Sequence, residues 1–234
     1  MSAMASQQRS RKALGLWMNG HFVGTWSLEA GGDVLQYDSQ WVQSPQRRPL
    51  SLSLPFTPGN RPHKGNAVRF YFENLLPDSK DIRERVARRY QVGATDAYTL
   101  LREVGRDCVG ALQILPAGDE PPTDLRVQAE PMSDHAVAQR IRTLAQPGAL
   151  GDAGMADDFR ISIAGAQEKD ALLFWQGRWC RPLGATPTTH IFKLPLGLIG
   201  NLQLDMQHSV ENEWLCAQLL AAYGLPVAPC EILR

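Results

Sequence analysis

The 234-residue sequence predicts an α+β fold made of two units. A hairpin signal and apolar residues of period two open the chain, helical periodicity follows, and a second group of short strands precedes a last helix. We assign residues 1–146 to an N-terminal unit, a small sheet with helices packed against it. Residues 157–234 form a β-rich second unit that ends in a helix. This length accommodates one large domain or two small ones.

The first strands are predicted from turn residues. Residues 13–28 form a hairpin around Asn19-Gly20, because both residues tolerate a positive φ. A glycine pair then precedes a third strand over residues 34–42, which completes a meander. Residues 50–54 (LSLSL) alternate with period two and predict another strand.

Helices are predicted next. Residues 66–75 carry apolar side chains at helical spacing and stop before a proline. Asp78 or Ser79 can cap a second, basic helix, and Thr95 can cap a third helix that ends near residue 105.

The middle of the chain is predicted as a strand, a connection and a short helix. Residues 109–115 have strand character, and the acidic, proline-containing stretch 117–131 is interpreted as a linker or surface loop. Ser133 then caps a helix that ends near residue 144.

The second unit is predicted from alternating strands and turns. Its strands are expected over residues 159–165, 169–175, 178–182 and 190–194. A helix capped by Ser209 runs to Tyr223, with Gly224 as the residue after its end, and residues 230–233 begin a last strand.

Composition excludes several classes of protein. Lys plus Arg and Asp plus Glu both number 24, so no overall field favours nucleic acid or an anionic membrane. Residues 61–106 nevertheless carry net +4 and residues 117–160 net −4, which suits a partner contact or two solvated faces. The four cysteines form no CxxC pair, and no apolar run is long enough to span a bilayer. A reduced, cytoplasmic protein without a structural metal is expected.

Three features of the second unit could carry chemistry. The small residues Ala164-Gly165-Ala166 leave backbone N–H groups open to a phosphate, although a plain hairpin turn has the same composition. Lys193 lies on an apolar strand, where burying its charge is costly unless a carboxylate or phosphate pairs with it. The alternative is an edge strand on which the ammonium stays in solvent. Glu211 and Glu213 open the last helix, where acidic residues also simply suit the helix dipole.

The order of these features is that of a protein-kinase N-lobe. There a glycine-rich loop covers the phosphates, and a strand lysine holds them while paired with a helix glutamate. Phosphoryl transfer needs this arrangement because it is catalysed mostly by positioning and by neutralising charge.

Long strings of residues identify the family that the chain resembles. They are RPLSLSLP (48–55), FYFENLLPDS (70–79), EVGRDCVGAL (103–112), DFRISIAGAQEK (158–169), TPTTHIFKLP (186–195) and SVENE (209–213). The chain resembles the N-terminal part of the HipA family, the serine/threonine kinase toxins of bacterial HipBA toxin–antitoxin modules. The resemblance implies a HipA-type N-terminal subdomain followed by the β-rich part of a kinase-like N-lobe.

The resemblance also implies roles for particular residues. Ala164, Gly165 and Ala166 match the family's phosphate-binding loop, and Ser162 matches its autophosphorylated serine. Lys193 matches the ATP-contacting lysine, with Glu213 as its helix partner. The family's catalytic-loop and magnesium-binding aspartates lie beyond the point that matches residue 234, so no catalytic residue is assigned in this chain.

Activity and partners are implied in the same way. The family uses ATP and Mg²⁺ to phosphorylate glutamyl-tRNA synthetase, which stalls translation, and a helix-turn-helix antitoxin, HipB, holds the kinase in a DNA-bound complex. The resemblance therefore implies that this chain is part of such a kinase and is inactive alone. An alternative is a non-catalytic short form that docks a kinase or an antitoxin.

Overall fold

The N-terminal unit is built on one antiparallel sheet. The structure, a computed structural model, describes residues 13–108, 110–122, 126–144, 167, 169–184, 186–199 and 204–233. Five strands pair in the order β4-β3-β2-β1-β5. They are β1 (Ala13–Met18), β2 (His21–Glu29), β3 (Gly32–Tyr37), β4 (His63–Lys64) and β5 (Leu112–Pro116). The predicted hairpin is confirmed, with φ of 50° at Asn19 and 79° at Gly20.

Four helices accompany this sheet. They are α1 (Ser39–Gln43), α2 (Asn66–Glu73), α3 (Lys80–Arg89) and α4 (Ala97–Val104). The unit's largest buried side chains meet where α2 packs on the sheet: the rings of Trp26 and Phe72 stack with centroids 3.7 Å apart, and both are fully buried. The residues of the main hydrophobic core all lie between Leu14 and Ile114.

The predicted strand over residues 34–42 is wrong in its second half. The strand ends at Tyr37, because the Asp38 carboxylate accepts hydrogen bonds from the backbone N–H groups of Gln40 and Trp41 and caps α1. An acidic side chain that satisfies the free N–H groups of a first turn favours a helix over a continued strand.

The predicted strand over residues 50–54 is also wrong. Ser51 accepts a hydrogen bond from the Leu54 N–H at its carbonyl and one from the Ser53 N–H at its hydroxyl, so the chain turns there. Leu54 is fully buried while Leu52 is 97% exposed. Local serine hydrogen bonds thus compete successfully with strand pairing.

The capping residue of α4 differs from the prediction. Asp96, not Thr95, is the N-cap, and its carboxylate accepts from both the N–H and the hydroxyl of Thr99. Ser79 caps α3 as predicted, and Gly105 ends α4 as predicted.

The strands of the second sheet come from both sides of the predicted domain boundary. Its strands are β6 (Ala129–Pro131), β7 (Lys169–Trp175), β8 (Arg178–Pro182) and β9 (His190–Lys193), in the order β6-β8-β7-β9. The end of the predicted 117–131 loop is therefore a strand. Helix α5 (Asp134–Leu144) contacts β7. The division at residue 146 stays a prediction. Strand β6 and helix α5 both precede that residue, and both contact the second sheet.

The described part of the chain ends with a small hairpin and a helix. Strands β10 (Gly197–Ile199) and β11 (Leu204–Met206), which were not predicted, pair with each other and precede α6 (Ser209–Ala222). The N–H groups of Gly224 and Leu225 donate to the Ala221 and Leu220 carbonyls, so α6 ends as predicted. Residues 230–233 form no strand. Mixed helices and antiparallel sheets confirm the α+β class.

Candidate functional site

Lys193 lies at the end of β9, which is the outer strand of the second sheet among the described residues. Its ammonium forms an ion pair with Glu213 Oε1 in the second turn of α6. The structure thus brings together two of the residues singled out in the sequence. Both side chains are partly exposed, 34% for Lys193 and 46% for Glu213, so an incoming ligand can reach the pair.

Glu211 faces a different neighbour. Its carboxylate lies 4.0 Å from His208 Nδ1, at the exposed start of α6. Residues two apart on a helix point to nearly opposite sides, so only one of the two glutamates can face Lys193. The ion pair selects Glu213.

One hydrogen bond from the backbone after β9 links this segment to the start of α6. The N–H of Leu196 donates to Ser209 Oγ at 2.9 Å, which ties the start of α6 to the segment that follows Lys193. Ser209 was predicted as the cap of this helix. Its hydroxyl instead accepts the Leu196 hydrogen bond, and His208 occupies the N-cap position without a side-chain cap bond.

A second lysine faces the same place. Lys169 is the residue directly opposite Lys193 in the antiparallel pairing of β7 and β9. Burial lowers the pKa of Lys169, the charge of Lys193 lowers it further, and the carboxylates of Glu213 and Asp78 raise it in part. Asp78 comes from the loop between α2 and α3, so the N-terminal unit contributes a charge to this cluster. Lys169 was not among the predicted site residues, although it ends the AQEK string.

The side-chain amide of Gln167 also contacts the backbone next to Lys193. Its Nε2 donates to the Leu194 carbonyl at 2.5 Å, one residue after Lys193. Gln167 directly follows the predicted phosphate loop in the sequence. That loop, Ala164, Gly165 and Ala166, and the predicted strand 159–165 with Ser162 all lie outside the described residues, and their roles stay predictions.

The opposite face of the sheet carries a buried ion pair that was not predicted from the sequence. The guanidinium of Arg140 on α5 forms two hydrogen bonds with the Asp170 carboxylate on β7, the Nη2–Oδ1 distance being 3.0 Å. The two side chains are only 12% and 5% exposed. An aspartate within the apolar string KDALLFW was the available signal, because a buried carboxylate requires a partner.

The described part of the chain shows neither a cluster of metal ligands nor a membrane-spanning helix. Within it, no group of three or more His, Cys, Asp or Glu side chains is placed to hold a metal ion, so no step is assigned to Mg²⁺ on these residues. Nor does any helix there combine the length and apolar character that crossing a membrane requires.

Comparison with family models identifies the class of protein. The HipA N-terminal domain matches residues 14–115, and the HipA-like C-terminal domain matches residues 161–234. The chain belongs to the HipA family.

Two proteins with similar sequences are named as kinases. A putative kinase, Y4mE, of Sinorhizobium fredii is 30% identical over 236 residues, covering 94% of this chain and 50% of the relative. The serine/threonine-protein kinase toxin HipA of Shewanella oneidensis is 27% identical over 215 residues, covering 91% of this chain and 45% of the relative. The chain therefore spans about half the length of these relatives.

A solved structure has the same fold. HipA in a complex of HipA, HipB and operator DNA from Shewanella oneidensis matches with a TM-score of 0.67 and 25% identity. The match covers 94% of this chain and 47% of that one.

Proposed function

We propose that this chain is the N-terminal portion of an ATP-dependent serine/threonine kinase toxin of the HipA type. The Lys193–Glu213 ion pair, which links the end of a strand to the following helix, is the observation that carries the proposal. In a kinase such a pair orients the lysine toward the nucleotide phosphates. The kinase names of the relatives support the same activity.

Each residue at the site has a distinct proposed task. Lys193 holds ATP phosphates, Glu213 orients the Lys193 ammonium, and the loop Ala164–Ala166 donates backbone N–H groups to the phosphates. The catalytic and Mg²⁺-binding aspartates belong to a second half, which the full-length relatives have and which this chain does not span.

The decisive experiment compares Lys193→Met with Lys80→Met in the open reading frame that contains this chain. Lys80 is a suitable control because its side chain is 84% exposed on α3. With radiolabelled ATP, Mg²⁺ and glutamyl-tRNA synthetase as the proposed substrate, Lys193→Met should reduce phosphoryl transfer about a hundredfold or more. Lys80→Met should leave transfer unchanged. Full activity of Lys193→Met would refute the role of this lysine, and transfer to a different protein would refute the substrate.

Ser162 is proposed as a regulatory phosphorylation site of the same kinase. A phosphate there adds about −1.5 to −2 charges next to the loop that would hold ATP phosphates, so it should compete for Lys193 and block nucleotide binding. In the assay above, intact mass should show one added phosphate that Ser162→Ala removes. The 234-residue chain alone should gain none, and a phosphorylated form of it would overturn the assignment of catalysis to the second half.

An antitoxin partner follows from the solved relative. Because HipA of Shewanella oneidensis is found with HipB and operator DNA, we propose that a HipB-like antitoxin binds this protein and that contact with DNA is indirect. Co-expression and co-purification with the antitoxin of the same operon tests this, and a failure to associate would contradict it. The cytoplasmic location stays a prediction.

A non-catalytic docking module is the second candidate function. Leu215, Leu219 and Leu220 on α6 are 43–52% exposed, an apolar surface that suits a partner protein. Reading the DNA after codon 234 separates the candidates: an in-frame continuation with an aspartate-bearing loop supports the kinase, and a stop codon supports the module.

A further inference from the structure

The chain leaves the second sheet immediately after Lys193. Strand β9 ends at that residue, and residues 194–196 belong to no helix or strand. If the register in which Lys169 faces Lys193 continued, residue 167 would lie opposite Pro195. Because a proline has no backbone N–H to donate, strand pairing stops there. The end of the strand that carries Lys193 is therefore held by contacts other than strand pairing.

Two side chains from different elements supply those contacts. The side chain of Gln167, two residues before β7, donates from Nε2 to the Leu194 carbonyl at 2.5 Å, directly before the proline. The Leu196 N–H, directly after the proline, donates to the hydroxyl of Ser209, the first residue of α6, at 2.9 Å. Both hydrogen bonds are partly buried, which strengthens them relative to bonds in water. We call these two hydrogen bonds the 194–196 clamp.

The Lys193–Glu213 ion pair joins the elements that the clamp holds. Ser209 and Glu213 are four residues apart on α6, so they lie on one face of the helix, and both contact the end of β9 or the segment after it. The side chains of the ion pair are 34% and 46% exposed, and an exposed ion pair holds its own geometry weakly. The position of the Lys193 ammonium therefore depends on the backbone that the clamp fixes.

We propose that Gln167 and Ser209 are positioning residues, which fix Lys193 by clamping the backbone directly after it. Neither side chain is proposed to touch the nucleotide, and each acts on phosphate binding only through Lys193. The link from the clamp to the ion pair rests on the contacts above, and the link to phosphoryl transfer rests on the proposed function. Positioning matters because a displacement of about 1 Å can lower an enzymatic rate roughly a hundredfold.

The first experiment measures the ion pair in the 234-residue chain without nucleotide. Brief reaction with an amine-acylating reagent, followed by peptide mass spectrometry, reports how readily each lysine ammonium leaves its contacts. Gln167→Ala and Ser209→Ala should each raise the labelling rate of Lys193 about fivefold, as expected for the loss of one hydrogen bond. The labelling rate of Lys80, which is 84% exposed on α3, should stay unchanged and serves as the internal reference.

Two further variants separate positioning from a loss of folding. Ser209→Thr keeps the accepting hydroxyl and should label at Lys193 as the unchanged chain does. Gln207→Ala, which removes an exposed glutamine side chain close to the start of α6, should do the same. An unchanged Lys193 rate in both alanine variants would overturn the inference, and so would a rise at all lysines alike, which indicates unfolding.

The second experiment uses the open reading frame that contains this chain. In the phosphoryl-transfer assay described above, Gln167→Ala and Ser209→Ala should each lower kcat about tenfold and change the KM for ATP less. Combined with Lys193→Met, neither should lower the rate further, because both act through that lysine.

A further tenfold loss in the double variants would assign Gln167 and Ser209 a role independent of Lys193 and overturn the inference. The expected labelling pattern in a protein whose full reading frame transfers no phosphate would overturn the kinase proposal alone.

Discussion

Arg140 and Asp170 form a deeply buried ion pair, with side chains that are 12% and 5% exposed. The pair joins α5 to β7, so it links a segment before the undescribed stretch 145–166 to the sheet that carries Lys169. Removing one partner leaves the other charge buried and uncompensated, which costs far more than the pair itself contributes.

Arg140→Ala should therefore lower the free energy of unfolding by about 3–5 kcal/mol. Arg142→Ala, two residues along the same helix and exposed, is the matched control and should change it by less than about 0.5 kcal/mol. Urea denaturation followed by far-ultraviolet circular dichroism measures both. A double variant, Arg140→Met with Asp170→Leu, should recover much of the loss, and equal losses in Arg140→Ala and Arg142→Ala would contradict this account.

Tyr37 makes stability depend on pH in the alkaline range. Its hydroxyl donates to the Leu54 carbonyl at 2.7 Å and accepts from the Leu50 N–H at 2.8 Å, which holds the 50–54 turn on the sheet. Burial raises the pKa of Tyr37 to about 12, while the Leu50 hydrogen bond lowers it slightly. The unfolded chain loses this proton near pH 10 and the folded chain only near pH 12.

The protonated Tyr37 hydroxyl therefore contributes fully to the free energy of unfolding below pH 10, and this contribution is lost as the pH rises toward 12. We expect the free energy of unfolding to fall over that interval, and Tyr37→Phe to reduce the slope while costing about 1–3 kcal/mol at neutral pH from the unsatisfied Leu50 and Leu54 groups. Urea titrations at several pH values measure both effects. An unchanged slope in Tyr37→Phe would assign the alkaline loss to other groups, such as the partly buried Tyr71 and Tyr98, whose pKa values burial also raises.

Among the secondary-structure elements, α4 shows how one side chain decides where a helix begins. Thr95 and Asp96 are adjacent and both are able to cap a helix, but only the Asp96 carboxylate accepts the Thr99 N–H, at 3.0 Å. The four N–H groups of a first turn have no partners inside the helix, so the residue that accepts from them sets its start.

Asp96→Ala should lower the free energy of unfolding by about 1 kcal/mol, the usual cost of losing an N-cap. Thr95→Ala provides the neighbouring control and should stay within about 0.5 kcal/mol of the unchanged chain. Thermal denaturation of the two variants side by side gives the comparison. The same cost in both would mean that Thr95 shares the capping role.

Over the whole molecule, burial is distributed unevenly between the two units. The main core lies between Leu14 and Ile114, and it contains fully buried Trp26 and Phe72. In the second unit, the buried apolar residues are few, and α6 has no buried residue. Local opening is easier where few apolar contacts must be broken.

Native-state hydrogen exchange should therefore be slowest in β1, β2 and β5 and clearly faster in β9 and α6. Mass spectrometry of peptides after timed exposure to deuterium resolves these elements in one experiment. If a protein partner covers α6, adding that partner should slow exchange there while leaving β1 unchanged. Equal protection of α6 and β1 in the isolated chain would contradict the uneven distribution of stability.

Much of the fold followed from short-range signals. The Asn19-Gly20 turn, the Ser79 cap and the end of α6 at Gly224 depend on a few neighbouring residues, so the sequence predicts them. The predicted strands failed where local hydrogen bonds competed with alternation, as with Asp38 and Ser51.

The sequence by itself determined the α+β class, the HipA family and the choice of Lys193 and Glu213 as candidate site residues. Only the tertiary structure decided that Lys169 lies opposite Lys193 and that Arg140 pairs with Asp170. It also shows the Lys193–Glu213 ion pair that the sequence could only propose. The physical reason is that strand register and helix packing bring together residues that are 20 to 30 positions apart in the chain. Local propensity and spacing carry no information about that register.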